Sequence, residues 1–119
     1  MTADDTSRYF RAAQEIPAQP VTSYAQPGAT EQILYRDATT GTYVRLLRMP
    51  PRFKSGDQPL QHDFDEIVYA LEGTWEDLAS GARRPAGTVA VFPAGVPHGP
   101  FAYPDGALFI EVRHYKRAT

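Results

Sequence analysis

Gly87-Thr-Val-Ala-Val-Phe-Pro-Ala-Gly-Val-Pro-His98 sets a short apolar run, Thr88–Phe92, against a proline- and glycine-rich turn that ends on a histidine. A run this short, rich in valine and bounded by glycine and proline, reads as a buried strand rather than a helix. Just upstream, Glu66-Ile-Val-Tyr-Ala-Leu71 reads as a strand closed by Glu72-Gly73. Thr74–Leu78 continues as a strand into the turn Ala79-Ser80-Gly81, and Arg83–Pro85 returns. Downstream, Gly99–Tyr103 is short and extended, Pro104-Asp105-Gly106 is a turn, and Ala107–Lys116 is a long final strand. On the other side, Gln32–Asp37 and Thr42–Met49 flank a turn at Thr39-Thr40-Gly41. Pro50-Pro51 stops the second of these, and Phe53–Leu60 is loop or irregular strand. The pattern is about eight strands at 8–12 residue spacing with no helix between them. Parallel pairing would need crossovers, so the sheet is antiparallel and closes into a sandwich or barrel, the jelly roll being one candidate.

Residues 1–30 differ from the rest. Thr6 or Ser7 could cap a short helix over Arg8–Glu15, ended by Pro17 and Pro20. Gln19–Thr30 is rich in Pro, Gln and Ser and reads as an extended arm. The division is therefore an arm over 1–30 and an all-β domain over 31–119. Such an arm can pair with a neighbour's sheet edge, which gives the expectation of a homodimer.

Composition narrows the chemistry. The chain has 119 residues, 42% hydrophobic and 22% charged, the balance of one globular domain. Its net charge of −2 offers no basic footprint for nucleic acid. There are no cysteines, which removes disulfides, thiolate metal sites and thiol catalysis together. No apolar run approaches the ~20 residues of a membrane span, and the acidic N-terminus is no signal peptide, so a cytoplasmic protein is expected. The three histidines are His62, His98 and His114, so a transition-metal site must draw on these and on carboxylates.

His62 and Glu66 are four apart, so on a strand both point to one face. His98 follows a turn that can aim it inward from another strand. Two imidazoles and one carboxylate suffice for a divalent metal and are the facial set of non-haem Fe(II) oxygenases. Zn(II) with three protein ligands and a water is equally allowed. A charge on the inner face of a barrel is costly unless compensated, and a metal compensates it. His114, on the final strand beside Arg113 and Tyr115, reads as a rim or outer-face residue. Tyr43, Arg45, Tyr69 and Arg113 could face the cavity. Parity sets Tyr69 and Trp75 opposite Glu66, the latter subject to any bulge at Gly73. Arg83-Arg84 reads as a solvated turn. No Gly-x-Ser-x-Gly elbow supports serine hydrolysis.

Two spacings carry a family resemblance. The first is His62-Asp-Phe-Asp-Glu66, then six residues and Gly73; the second is Gly87, five residues, Pro93, one residue, Gly95, two residues, His98. Together they resemble the two motifs of the cupins, small β-barrels of jelly-roll type (a double-stranded β-helix). In that family, two histidines and a glutamate from the first motif and a histidine from the second bind one metal inside the barrel. The resemblance implies His62, Glu66 and His98 as metal ligands. It puts Leu60 where the family carries its first histidine, and Ala102 where the second motif ends in asparagine. The segments Arg45–Met49, His62–Asp77 and Gly87–His98 also look like cupins that include acetophenone-type and diketone dioxygenases, and like the zinc-binding cupin of anti-sigma factors. The implied activity is a non-haem Fe(II) dioxygenase cleaving a C–C bond of an oxygenated aromatic, diketone or hydroxyketone substrate, with Glu66 and His98 catalytic. A cupin-type polyketide cyclase, isomerase or lyase using Zn(II), Ni(II) or Mn(II) as Lewis acid is the second expectation. A non-catalytic sensory barrel that binds a metal or small ligand is the third.

Overall fold

A computed structural model describes residues 6–116. Its strands, in chain order, are β1 (Gln19–Pro20), β2 (Thr30–Arg36), β3 (Tyr43–Met49), β4 (Phe53–Lys54), β5 (Asp65–Asp77), β6 (Arg83–Pro85), β7 (Val89–Phe92), β8 (Phe101–Tyr103) and β9 (Ala107–His114). All pair antiparallel, in the order β1-β2-β3-β9-β5-β8-β4, with β6 and β7 also on β5. The chain is an all-β jelly-roll barrel.

Strand β5 organises the two layers. Its first half pairs with β9 and β7, and its second half with β6 and β8. The sequence suggests two strands broken at Gly73, yet one strand of 13 residues runs through. A β-bulge between Ala70 and Glu72 takes up an extra residue, which reverses the side-chain parity beyond it. Trp75 therefore turns inward with Val68 and Ala70 and is 5% exposed, instead of facing away from Glu66. Gly73 is essential to this passage. Its φ is +89°, and a Cβ there would lie 2.0 Å from the carbonyl oxygen of Gly106.

The core is built from inward odd positions of β3 and β9, Leu47, Met49, Ala107 and Phe109, closed by Phe53, Trp75, Phe101 and Tyr103. Trp75 packs edge-on against Phe101 and Phe109 at 5.5 and 5.2 Å between centroids.

Three local expectations change. The helix over Arg8–Glu15 is replaced by two 3-10 turns, Ser7–Tyr9 and Ala13–Glu15. Neither start has a side-chain cap and neither turn buries a residue, so nothing there offsets helix nucleation. The arm pairs with its own chain, Gln19 opposite Glu31 and Pro20 opposite Thr30, and adds Val21 and Ala29 to the core. Strand β7 is only half buried: Ala90 and Phe92 pack inward, while Val89 and Val91 are exposed.

Candidate metal centre

The cluster lies where the segment leading into β5 meets the turn after β7. Leu60 and His98 exchange both backbone hydrogen bonds, Leu60 N–H to His98 O at 2.7 Å and His98 N–H to Leu60 O at 2.9 Å. Gly95 N–H donates to His62 O at 2.8 Å, and the Gln61 amide donates to Gly95 O at 2.9 Å. Ala94 N–H donates to the Asp65 carboxylate at 2.9 Å, which holds that carboxyl below its usual range. Gly95 makes its contacts at φ +83°, so the Pro93-Ala-Gly turn needs a residue without a Cβ. These bonds fix two segments, distant in sequence, in one arrangement before any ligand arrives.

His62, Glu66 and His98 come together as the spacing predicted, with ligand atoms all within 4.8 Å of one another. Both imidazole Nε2 atoms approach the same carboxylate oxygen, Glu66 Oε2, His62 at 3.4 Å and His98 at 3.7 Å. Each ring is held flat against a phenyl ring: His62 on Phe64 at 4.5 Å, His98 on Phe92 at 4.1 Å. His98 Nδ1 lies 2.9 Å from the carbonyl of Val96. A carbonyl only accepts, so Nδ1 carries the proton and Nε2 presents a lone pair. That Nε2 is buried and has no hydrogen-bond partner. An orphaned lone pair beside a buried carboxylate and a second imidazole is a donor set that fits a divalent cation.

The electrostatics agree. Burial, reinforced by the nearby charge of Glu111, pushes the Glu66 carboxyl up to about 7. Burial and the neighbouring His98 push His62 down. Around the cluster runs a buried charge chain. Arg45, 2% exposed, donates to Glu31 and, at 2.9 Å, to Glu111, which also accepts from Arg113 Nε at 2.9 Å. Arg113 lies opposite Glu66 across the β5–β9 ladder and 4.6 Å over the Phe64 ring. Counting Glu66, the group holds three carboxyl groups against two guanidiniums, so with Glu66 ionised there is an excess of one negative charge that a cation would meet.

Of the residues whose direction parity left open, Arg45 points inward into this chain, and Tyr43 is half-buried against Arg36, Arg45 and Arg113. Tyr69 faces outward, as its parity required. His114 sits on the outer rim, 3.6 Å from Asp65. Sequence reading missed Glu31 and Glu111. The signal for Glu111 was available: it stands in phase with Ala107 and Phe109 within the otherwise apolar run Ala107–Val112.

Leu60 brings an aliphatic side chain to the cluster. With Glu66, Glu111 and Tyr24 it lines an interior cavity of only about 20 Å³, room for roughly one water. A larger cleft of about 660 Å³ opens between β6 and β7, lined by His98, Phe92, Trp75 and the Arg83-Arg84 pair. The stacked rings of His98 and Phe92 form its inner wall.

No family model matches the sequence, and no curated protein matches it. Solved structures do. An RmlC-like cupin protein from Ralstonia eutropha JMP134 aligns at 20% identity and a TM-score of 0.72, over 87% of this chain and 66% of that one. An acetylacetone dioxygenase from Acinetobacter johnsonii aligns at 16% identity and 0.72, over 89% of this chain and 72% of its own. The polyketide cyclase RemF from Streptomyces resistomycificus aligns at 20% identity and 0.71, over 92% and 81%. The fold is that of the cupins, as the two motif spacings implied. Within it, the described residues bring together one cluster of two histidines and a glutamate that could hold a metal ion.

Proposed function

We propose that this chain is a metal-dependent enzyme acting on a small oxygenated organic molecule, and that His62, Glu66 and His98 hold one divalent ion, iron(II) by preference. The buried, unpartnered Nε2 of His98, 3.7 Å from Glu66 Oε2, carries this reading. Two imidazoles and a carboxylate match the facial set of ferrous oxygenases. The likeness to an acetylacetone dioxygenase supports cleavage of a C–C bond in a diketone, hydroxyketone or oxygenated aromatic compound. When bound, the ion would supply open coordination positions for dioxygen and for one or two substrate oxygens.

The chain's own residues do the rest. The Val96 carbonyl engages the His98 Nδ1–H, so Nε2 is the nitrogen left to bind an ion. Phe64 and Phe92 prevent the two imidazoles from rotating out of line. Arg45 and Arg113 hold the Glu111 carboxylate in place beside the cluster. Leu60 and the packed interior keep bulk water from Glu66. Glu66 holds its charge once a cation lies against it.

A Lewis-acid reading, with zinc, nickel or manganese driving a cyclisation, isomerisation or lyase step, has its own support in the likeness to polyketide cyclase RemF. Metal analysis of untagged protein beside His62→Ala and His98→Ala tests the site. Wild type holding no more metal than the variants overturns it. Oxygen uptake by the iron-loaded protein with diketones, catechols and hydroxyketones then separates the chemistries. Turnover under nitrogen with zinc favours the Lewis-acid reading. Tight binding without any turnover means a sensory barrel.

A further inference from the structure

Strand β6 is exposed along its whole length, yet its register on β5 sorts its two arginines to different faces. Arg83 pairs with Glu76 and Arg84 with Trp75, and cross-strand partners share a face. Trp75 is an inward residue, so Arg84 stands on the inner face of its strand, at the cleft of about 660 Å³ between β6 and β7. The charge of Arg83 is already met, because its guanidinium lies 3.4 Å from the Glu76 carboxylate. Arg84 has no ion pair and no hydrogen bond among the described residues.

The other wall of the cleft is apolar. Ala90 and Phe92 of β7, then Val96 and Pro97 of the turn that follows, line it. The indole Nε1 of Trp75 is buried without a partner, so the walls also hold an unmet donor. The single carboxylate among the described lining residues, Asp77, accepts from the Ala79 N–H at 3.0 Å and closes its own turn. The cleft has the size of a small-molecule pocket. It offers an apolar slot with one free cation and one unmet N–H, a set matched by a ligand that carries acceptors and negative charge.

We propose that this cleft binds a small organic carboxylate with a flat apolar body, the carboxylate on Arg84 and the body along Phe92 and Pro97. A guanidinium holds a carboxylate through two parallel N–H bonds, which a neutral amide or ketone does not reproduce. The stacked rings of His98 and Phe92 form the inner wall, so the bound molecule lies beside a candidate ligand of the metal. Taken as the substrate, it narrows the oxygenated compounds proposed above to those that bear a carboxylate. That last step rests on the proposed function, whereas binding in the cleft does not.

The test is calorimetric titration of the full chain, as purified and after chelation, with benzoate, cinnamate and naphthoate, each beside its neutral amide. At least one carboxylate should bind with a dissociation constant below about 1 mM, and about tenfold or more tighter than its amide. Arg84→Gln should abolish that preference. Arg83→Gln, whose charge is already met by Glu76, should change it less than about twofold. Both positions are exposed, and circular dichroism checks that each variant folds. No carboxylate binding, equal affinity for the amides, or equal losses in the two variants each overturn the proposal. The metal content of Arg84→Gln should match wild type. Arg84-dependent binding by a chain that holds no metal would sink only the function proposed above, and metal binding without carboxylate binding would sink only this inference.

Discussion

His98 Nε2 and Glu66 Oε2 stand 3.7 Å apart, both buried, and do not hydrogen-bond. The imidazole proton is committed to Val96 on the far side of the ring, so two acceptors face each other across a gap. Two lone pairs directed at one point are stable together only when a cation or a proton lies between them. Burial, which raises the Glu66 carboxyl to about 7, makes the site take up a proton more readily when no cation is there.

The first prediction concerns that gap. His98→Ala and Glu66→Gln should each weaken binding of ferrous or zinc ion by more than about a hundredfold, beyond the range known for outer partners alone. His114→Ala, on the rim, should leave binding unchanged. Competition titration against a chromogenic chelator measures all three. Equal affinity in wild type and His98→Ala would falsify the assigned ligand set.

Leu60 offers a gain-of-function counterpart. It lines the same small cavity as Glu66 and is backbone-paired to His98, so a histidine there would bring a fourth donor to the cluster. Leu60→His should bind metal about tenfold more tightly. An affinity equal to or below that of wild type would show that position 60 does not reach the ion.

The buried charge chain predicts a stability effect separate from metal. Arg45→Ala leaves Glu111 without one of its two partners and Glu31 without its own. The cost should be about 3–5 kcal/mol in urea unfolding of metal-free protein. Arg36→Ala, whose guanidinium only overlies the half-buried Tyr43 ring, should cost under about 1 kcal/mol. Equal costs would mean that Arg45 acts by packing alone.

Alkaline pH gives the fourth prediction. Burial pushes the phenol of Tyr24 up to about 12 and raises that of Tyr103 well above its ordinary value. Below about pH 10 the phenols are neutral in both native and unfolded chains, so they impose no pH dependence. Between 10 and 12 the unfolded chain ionises while the native chain keeps these protons, and stability falls as pH rises. Phenolate absorbance from these two side chains should therefore appear together with loss of the fold. Tyr24→Phe with Tyr103→Phe should move that late step upward. Phenolate forming at Tyr24 well before unfolding would contradict its burial.

Most strands were legible because their signals are local: valine and aromatic runs between glycine and proline punctuation. The three candidate ligands were legible for the same reason. His62 and Glu66 share strand parity, and His98 closes a turn with a distinctive Pro-x-Gly spacing. What failed depends on distant partners. The inward turn of Trp75 follows from a bulge, and Gly73 must press against Gly106, which belongs to another turn. The exposure of Val89 and Val91 follows from β7 lying at a sheet edge with nothing outside it. Glu31, Arg45 and Glu111 lie on three strands, and only the register brings them into contact.

The sequence contains one tryptophan, and the barrel places it in the wall shared by the outer cleft and the inner cavity. All indole emission of the protein therefore arises from that partition. Its ring stands 6.3 Å from Phe92, which in turn lies flat on His98. The molecule thus carries an intrinsic optical probe, set two rings away from the candidate ligands and in contact with the space through which a small molecule would approach them.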